Sequence, residues 1–186
     1  IYLYFVCELP DVKVEARTGK SVGFDFGFKG RMLVAENPDE DIKEPIFFCK
    51  VKNDIARANR KLSSKRMRSN NRNKARLELA RLYRRTVNQR NAYHWQLARE
   101  LCSRYAIICL EDLSMRFMQK GHGRKIMDYG FAEFQNILSY VGKQTGIRIV
   151  KVDKFFPSSQ LCSKCGHKNP EVKDLRIREW DCPVCG

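Results

Sequence analysis

The sequence has none of the features of a membrane-inserted or secreted protein. No run of eighteen or more apolar residues occurs along the 186 residues, so no transmembrane span is predicted. No charged segment followed by an apolar segment opens the chain, so no signal peptide is predicted. The eight cysteines show no disulfide framework, because four cluster near the end and four lie in apolar runs. A reducing, cytoplasmic location is therefore expected.

The chain also has no initiator Met. It opens on IYLYFVCEL, a pattern typical of a β-strand, so we expect it to be a piece of a longer protein. Its 186 residues, 43% of them hydrophobic, are enough for one domain plus a small appendage.

Acidic residues are nearly absent from one segment. Residues 57–90 contain thirteen Lys or Arg and only Glu78 as an acid, so this segment carries +12 of the net charge of +15. A concentrated basic stripe is the footprint of a nucleic-acid partner. The alternative is a solvated helix face, although such faces usually carry interspersed Glu. The predicted nucleic-acid contacts are Arg57, Arg60, Lys61, Lys65, Arg66, Arg68, Arg72, Lys74, Arg76, Arg84 and Arg85.

The order of predicted elements indicates an α/β fold. Strands are predicted at 1–9, 21–28, 31–36 and 45–51, as an antiparallel meander with Lys29 and Gly30 in one turn. A helix is predicted from Asp54, its candidate cap, to about Ser63 or Lys65, and a second one over about 73–104. A strand at 106–110, a helix at 129–145 stopped by Gly146, and a strand at 147–152 complete the order. The all-apolar run AIICL predicts a central strand covered on both faces, and the later strands are expected to pair in parallel.

One carboxylate interrupts a strand-like apolar run, VGFDFGF at 22–28. The period of two puts the apolar side chains on one face, and Gly23, Asp25 and Gly27 on the other. Glycine lets a ligand or another backbone approach closely. We therefore expect Asp25 to stand in an open groove, because a carboxylate buried without a partner costs several kcal/mol.

Two further carboxylates, Glu111 and Asp112, follow the run AIICL at the carboxyl end of a predicted central strand. Sites in α/β sheets lie at such ends. Carboxylates from two adjacent strands are able to hold Mg²⁺, and two ions about 3.5–4 Å apart are able to stabilise both oxygens of a phosphodiester displacement. The alternative for each residue alone is a cap or a turn.

The cysteine spacing predicts a structural zinc site. Cys162 and Cys165 form one C-x₂-C-G knuckle, and Cys182 and Cys185 form another after sixteen intervening residues. Two such knuckles bind one Zn²⁺ tetrahedrally, and the alternative is redox or free thiols. His167 lies just past the first knuckle and is expected to be a surface residue.

The ordered motifs resemble the TnpB (OrfB) family of insertion-sequence proteins, which is similar to type V CRISPR effectors. The resemblance rests on GFDFGFKGRMLVAEN, on the segment from LSSKRMRSNNRNK to AIICLEDLSM, on DYGFAEFQNILSYVGKQTG, and on SSQLCSKCG with CPVCG. It covers essentially the whole chain. It implies an RNase H-like, RuvC-type mixed sheet flanked by helices, with an inserted Cys₄ zinc ribbon.

The resemblance also implies an activity and its residues. The family cleaves DNA under the direction of a transposon-derived guide RNA, so DNA and guide RNA are the implied partners. Its first catalytic Asp falls on Asp25 and its catalytic Glu on Glu111, which leaves Asp112 as a helper or a cap. Two catalytic Mg²⁺ ions and one structural Zn²⁺ are the implied cofactors.

The same resemblance implies a domain arrangement. A nuclease core is expected over 1–157, with a basic helical insertion at about 54–104, and a zinc ribbon over 158–186. The third catalytic carboxylate of the family falls beyond Gly186, and its N-terminal nucleic-acid-binding region falls before residue 1. The chain on its own is therefore not expected to cleave.

Two other functions fit the same sequence. One is a guide-directed repressor that has lost cleavage, which the presence of both Asp25 and Glu111 disfavours. The other is a DNA-strand-transfer transposase, which an RNase H-like fold also supports. A guide-dependent protein should copurify with RNA and a plain transposase should not. The sequence leaves the oligomeric state open.

Overall fold

The computed structural model describes residues 18–27, 30–112, 126, 128–153, 156–174, 177 and 179–186, with residues 3, 5, 7 and 123 singly. The chain forms two compact units, Ile1–Lys151 and Val152–Gly186. Most of the strand predicted at 1–9, and Lys29 of the predicted turn, lie outside the described residues.

The first unit is built on a five-stranded mixed sheet. Its strands are β1 (Ser21–Phe26), β2 (Arg31–Ala35), β3 (Ile42–Lys43), β4 (Ile107–Glu111) and β5 (Arg148–Val152), in the spatial order β3-β2-β1-β4-β5. β1 pairs antiparallel with β2, β2 pairs antiparallel with β3, and β1 pairs parallel with β4. This arrangement confirms the predicted α/β class with a mixed sheet.

Among the described residues, the sheet is accompanied by the helices α1 (Phe48–Ser63), α2 (Asn70–Arg104) and α3 (Phe131–Thr145). The predicted apolar stripe of α3 is buried in full: Phe131, Phe134, Ile137, Leu138 and Val141. It packs into one core with alternate residues of β1 and β4, among them Phe24, Phe26 and Leu110, and with the C-terminal part of α2. Gly146 ends α3 in the left-handed conformation, with φ of 74°.

Three predictions for this unit are wrong. The segment 45–51, predicted as a strand from its apolar and aromatic content, enters α1 at Phe48, so Asp54 lies inside a helix and does not cap it. The run AIICL is buried on one face only, since Ile107 and Cys109 of β4 are partly exposed. These errors arise because a short apolar run does not by itself distinguish a strand from a helix, or a one-sided strand from a two-sided one.

The second unit has little regular structure. It contains short 3₁₀ turns at Ser158–Gln160 and Pro170–Lys173, and an antiparallel bridge between Leu161 and Lys168. Val172 and Cys182 are its buried residues among those described. The described part of this unit thus has a small apolar core, and a bound metal would add to its stability.

Candidate functional sites

Asp25 and Glu111 lie side by side at the centre of the sheet. Val22, Phe24 and Phe26 are buried, so the alternation along β1 turns Asp25 to the exposed face. The parallel register pairs Phe24 with Leu110, and the next residues on the two strands are Asp25 and Glu111. Adjacent strands are about 4.8 Å apart, so the two carboxylates share one stretch of the exposed face.

The two carboxylates affect each other electrostatically. Partial burial raises the pKa of Asp25, although the main-chain N–H of Phe26 donates to its Oδ1 at 2.7 Å and opposes that rise. The pKa of Glu111 is raised first by burial and then by the negative charge of Asp25. A pair of carboxylates that resists full ionisation is stabilised by a cation between them. This donor set of hard oxygens therefore fits Mg²⁺.

The surface beside the pair is an open groove. A Cβ added at Gly23 would meet no heavy atom within 4 Å, so the face next to Asp25 is accessible. Gly27 differs, because a Cβ there would lie 2.6 Å from the carbonyl oxygen of Arg31. A pocket lined in part by Ser21, Gly23 and Cys109 adjoins this surface, and neither Asp25 nor Glu111 lines it. The expectation of an open groove at Asp25 thus has structural support at Gly23, and Gly27 serves the close approach of β2.

Asp112 directly follows β4 and is exposed. Successive side chains of a strand point to opposite faces. Glu111 lies on the face that carries Asp25, so Asp112 does not belong to the row of side chains that Asp25 and Glu111 form. The structure thus brings Asp25 and Glu111 together, and it does not place Asp112 in that row.

Sequence reasoning missed Gln135 near this pair. Gln135 is buried in α3, and its Nε2 donates to the main-chain carbonyl of Glu111 at 3.3 Å. The available signal was a polar residue within the apolar stripe of α3, between Phe134 and Leu138.

The predicted basic residues lie on α1, on α2 and in the turn 64–69 that joins them. Nine of the eleven are exposed, and Lys65 and Arg72 are half-buried. Ser69 caps α2 by accepting from the N–H of Arg72 at 3.2 Å. Arg68, in the turn, has a positive φ of 61°, which is uncommon for a residue with a side chain.

Some of these charges already have partners within the protein. Lys61 pairs with Glu78 at 2.6 Å and links α1 to α2, and Arg57 lies 3.7 Å from Asp54. Arg72 Nη1 donates to the carbonyls of Leu62 and Lys65, at 3.1 and 3.2 Å. Arg72 therefore closes the C-terminal end of α1, a structural role that the sequence analysis did not predict.

The four knuckle cysteines form a cluster. Their sulfur atoms all lie within 4.8 Å of one another, with Cys162 Sγ 3.5 Å from Cys185 Sγ and Cys165 Sγ 3.6 Å from Cys182 Sγ. Both knuckles have the same turn, since Gly166 donates to the carbonyl of Cys162 at 2.9 Å and Gly186 to that of Cys182 at 3.0 Å. This set could hold one tetrahedral zinc ion.

The electrostatics of the cluster fit the same interpretation. Backbone N–H groups of Cys165 and Lys164 lower the pKa of Cys162 to about 6. Hydrogen bonding to Cys162 and Cys165 raises the pKa of Cys185. Four adjacent thiols cannot all ionise without a cation, whereas a bound metal deprotonates its thiol ligands outright. Within the described residues, His167 is not a member of the cluster.

Of the helices in the described part of the chain, none is long and apolar enough to cross a membrane.

Family models match both parts of the chain. The OrfB family model of IS605-type elements, described as "Probable transposase", matches residues 4–121. A second model, described as "Cas12f1-like, TNB domain", matches residues 131–186 and so includes the cysteine cluster.

Curated relatives point the same way. A protein of Streptomyces pristinaespiralis named "Putative RNA-guided DNA endonuclease" is 32% identical over 187 residues, which cover 100% of this chain and 45% of that protein. A protein of Escherichia coli K12 with the same name, InsQ, is 30% identical over 88% of this chain and 44% of its own length. The TnpB-like protein L79 of Acanthamoeba polyphaga mimivirus is 26% identical over 72% of this chain. The chain thus spans less than half the length of these relatives.

A solved structure shares the fold. The cryo-EM structure of a Cas12f1–sgRNA–target DNA complex matches 92% of this chain and 38% of the Cas12f1 chain, with a TM-score of 0.58 and 22% identity. The TM-score shows a shared fold, and the family model over residues 4–121 agrees with the order of motifs. The chain belongs to the OrfB (TnpB) family.

Proposed function

We propose that the protein carrying this chain is an RNA-guided DNA endonuclease of a transposable element, with a metal-dependent RuvC-like site. The observation that carries the proposal is the placement of Asp25 and Glu111 on one exposed face of two parallel central strands. The family and the relatives' names support the reaction class.

In this proposal Asp25 and Glu111 are catalytic residues that would hold Mg²⁺ through their carboxylate oxygens, and the family resemblance implies two ions. When bound, Mg²⁺ supplies a water of lowered pKa and neutralises charge on the leaving oxygen. The Phe26 N–H donates to Oδ1 of Asp25 and so fixes the orientation of this carboxylate. Gly23 keeps the adjoining surface open for a phosphodiester.

The exposed Lys and Arg residues of α1 and α2, called here the basic face, bind the sugar–phosphate backbone of the nucleic acid. Residues such as Arg60, Lys74, Arg76 and Arg85 are exposed along this face. They hold phosphates with little regard to sequence, because phosphate contacts carry no base information. Target choice is then left to base pairing with the guide RNA.

The cysteine cluster is structural in this proposal. Its four sulfurs fill all positions of a tetrahedral zinc site, so no open position remains for a water or a substrate. The nuclease core is assigned to 1–157 and the zinc ribbon to 158–186. A cytoplasmic location is also proposed, since a reducing compartment keeps such thiols available for zinc.

The full-length protein tests this function directly. It should copurify with RNA and, with Mg²⁺, cut a DNA whose sequence matches that RNA. A DNA with a scrambled target and a reaction with EDTA serve as controls and should remain uncut. Guide-dependent binding without cleavage would favour a repressor, and strand joining without RNA would favour a transposase.

A further inference from the structure

Gln135 occupies an unexpected position in α3. The buried face of this helix is otherwise made by side chains such as Phe131, Phe134, Leu138 and Val141, and Gln135 lies among them with 7% of its surface exposed. Burying a primary amide costs free energy unless it is hydrogen-bonded. An apolar residue at this position would continue the stripe without that cost.

The amide has a specific partner at the candidate site. Gln135 Nε2 donates to the main-chain carbonyl of Glu111 at 3.3 Å. Glu111 is the last residue of β4, one step beyond the last paired residues, Phe24 and Leu110. The bond therefore holds the strand at the point where it leaves the sheet and where the carboxylate is attached.

The helix that carries Gln135 is itself held at its first turn. Arg90 of α2 forms an ion pair with Glu133 at 2.9 Å. His94 of α2 bonds the carbonyl of Tyr129 at 2.7 Å, and a Cβ at Gly130 would collide with the Arg90 side chain. Gln135 thus reaches the end of β4 from a helix whose first turn is held by contacts with α2.

We propose that Gln135 is a positioning residue that sets the main chain at Glu111, so that the Glu111 carboxylate stays level with Asp25. The inference rests on the proposed function and deepens it. A strand turns successive side chains to opposite faces, so a small rotation of the backbone at residue 111 moves its carboxylate away from Asp25. Two carboxylates bind one ion well only while their oxygens converge.

Metal binding measures this role without relying on cleavage. In the full-length protein, Mn²⁺ replaces Mg²⁺ and is titrated by electron paramagnetic resonance. Gln135→Met keeps the side-chain length and removes the donor. Leu138→Met, on the same buried face of α3, is the matched control, and Asp25→Asn and Glu111→Gln identify the Mn²⁺ that belongs to this site.

Gln135→Met should raise the dissociation constant of the Asp25- and Glu111-dependent Mn²⁺ about ten-fold, the lower end of the effect of residues that support metal ligands. Its melting temperature should stay within about 3 °C of wild type, since an apolar side chain suits the stripe. Leu138→Met should bind Mn²⁺ as wild type does. In cleavage assays, Gln135→Met should need more Mg²⁺ for half-maximal rate and keep its rate at saturating Mg²⁺.

This inference is overturned if a folded Gln135→Met protein binds Mn²⁺ with wild-type affinity while Asp25→Asn and Glu111→Gln bind it more weakly. That result leaves the proposed function intact. If neither carboxylate substitution changes Mn²⁺ binding, the proposed site and the role of Gln135 both fall. If Gln135→Met does not fold, Gln135→Asn decides in the same titration. Its shorter amide does not reach the Glu111 carbonyl, so weakened binding supports the role and unchanged binding overturns it.

Discussion

Asp25 and Glu111 are the first residues beyond the last registered pair, Phe24 and Leu110, on two parallel strands at the centre of the sheet. They share an exposed face, and the charge of Asp25 contributes to the raised pKa of Glu111. The two carboxylates thus repel each other in the folded protein, and a bound cation would remove that repulsion. This relationship connects an ordinary strand pattern to the chemistry proposed for the protein.

The first prediction concerns the cysteine cluster. Cys182→Ser should abolish zinc binding, and the unit Val152–Gly186 should lose its structure first, because ligation supplies most of the folding free energy of such a unit. Zinc affinity should fall on acidification, since bound thiolates must release their protons. Metal analysis and limited proteolysis measure both effects.

Cys49→Ser is the control for this substitution, because Cys49 is an exposed cysteine outside the cluster. It should keep one zinc ion per chain. If protein purified without chelator holds no zinc, or if Cys182→Ser holds as much as wild type, the cluster is not a zinc site.

The second prediction concerns a cap supplied from far along the chain. Phe47, at the N-cap of α1, has no side-chain cap of its own. The Asp128 carboxylate instead accepts from the N–H groups of Phe47 at 3.2 Å, Phe48 at 2.7 Å and Cys49 at 3.4 Å. Asp128→Ala should lower the free energy of unfolding by about 2 kcal/mol, the upper end for loss of a helix cap.

Urea denaturation measures this loss. Asp128→Asn is the control that keeps one acceptor oxygen, and it should retain part of the stability. Equal stabilities of the wild type and Asp128→Ala would show that the cap adds nothing to the fold.

The third prediction concerns pH. His94 is fully buried, its Nε2 bonds the Tyr129 carbonyl at 2.7 Å, and its Nδ1 has no partner within the described residues. Burial, helped by the charge of Arg90, lowers its pKa below the ordinary 6.5, against the effect of the bond to Tyr129. The unfolded chain therefore binds this proton more readily, so the stability contribution is complete above pH 6.5 and is lost as the pH falls.

Urea denaturation at pH 7, 6 and 5 measures the effect. His94→Gln keeps an amide donor for Tyr129 and removes the titration. Wild type should lose up to about 1.4 kcal/mol more per pH unit than His94→Gln in this range. The raised pKa values of Asp25 and Glu111 increase stability as the pH falls, and they do so equally in both proteins. The difference in stability between wild type and His94→Gln therefore reports His94 alone. Parallel pH profiles would exclude this role.

The fourth prediction concerns the basic face. Lys74, Arg76 and Arg85 are exposed on α2, and changing all three to Gln should reduce the log–log salt slope of nucleic-acid binding by about three units if each contacts a phosphate. Fluorescence anisotropy at several salt concentrations measures the slope. Arg72 is excluded from the set, because its guanidinium closes α1 and its loss would also disturb the fold.

The matched control removes the same charge elsewhere. Lys143, Arg148 and Lys151 are exposed residues outside the basic segment, and their change to Gln should leave the slope nearly unaltered. If both triple variants change the salt slope equally, the basic segment makes no specific contact with phosphates and is a solvated face.

The sequence predicts the parts of this structure that depend on local pattern. The alternation of VGFDFGF places Asp25 on the exposed face of β1, and the apolar stripe of α3 is buried as expected. The spacing of the cysteines predicts their cluster, because two knuckles with short internal turns leave four thiolates facing one point.

The parts that sequence reasoning missed depend on contacts between distant segments. Phe47 and Phe48 begin a helix because Asp128, about eighty residues away, accepts their N–H groups, and no local signal announces that cap. The bonds from Gln135 to Glu111 and from Arg72 to the end of α1 likewise form only after the elements have packed.

The roles of the three carboxylates are separated by comparing cleavage and binding of a guide-matched DNA by full-length Asp25→Asn, Glu111→Gln and Asp112→Asn. Asp25→Asn and Glu111→Gln should abolish cleavage and retain binding of RNA and DNA, because each loses a metal ligand and leaves the basic residues of α1 and α2 unchanged. Asp112→Asn should keep most of the cleavage rate, since Asp112 lies outside the row that Asp25 and Glu111 share. Wild-type cleavage by Glu111→Gln, together with loss of cleavage in Asp112→Asn, would show that Glu111 is not the catalytic carboxylate of β4.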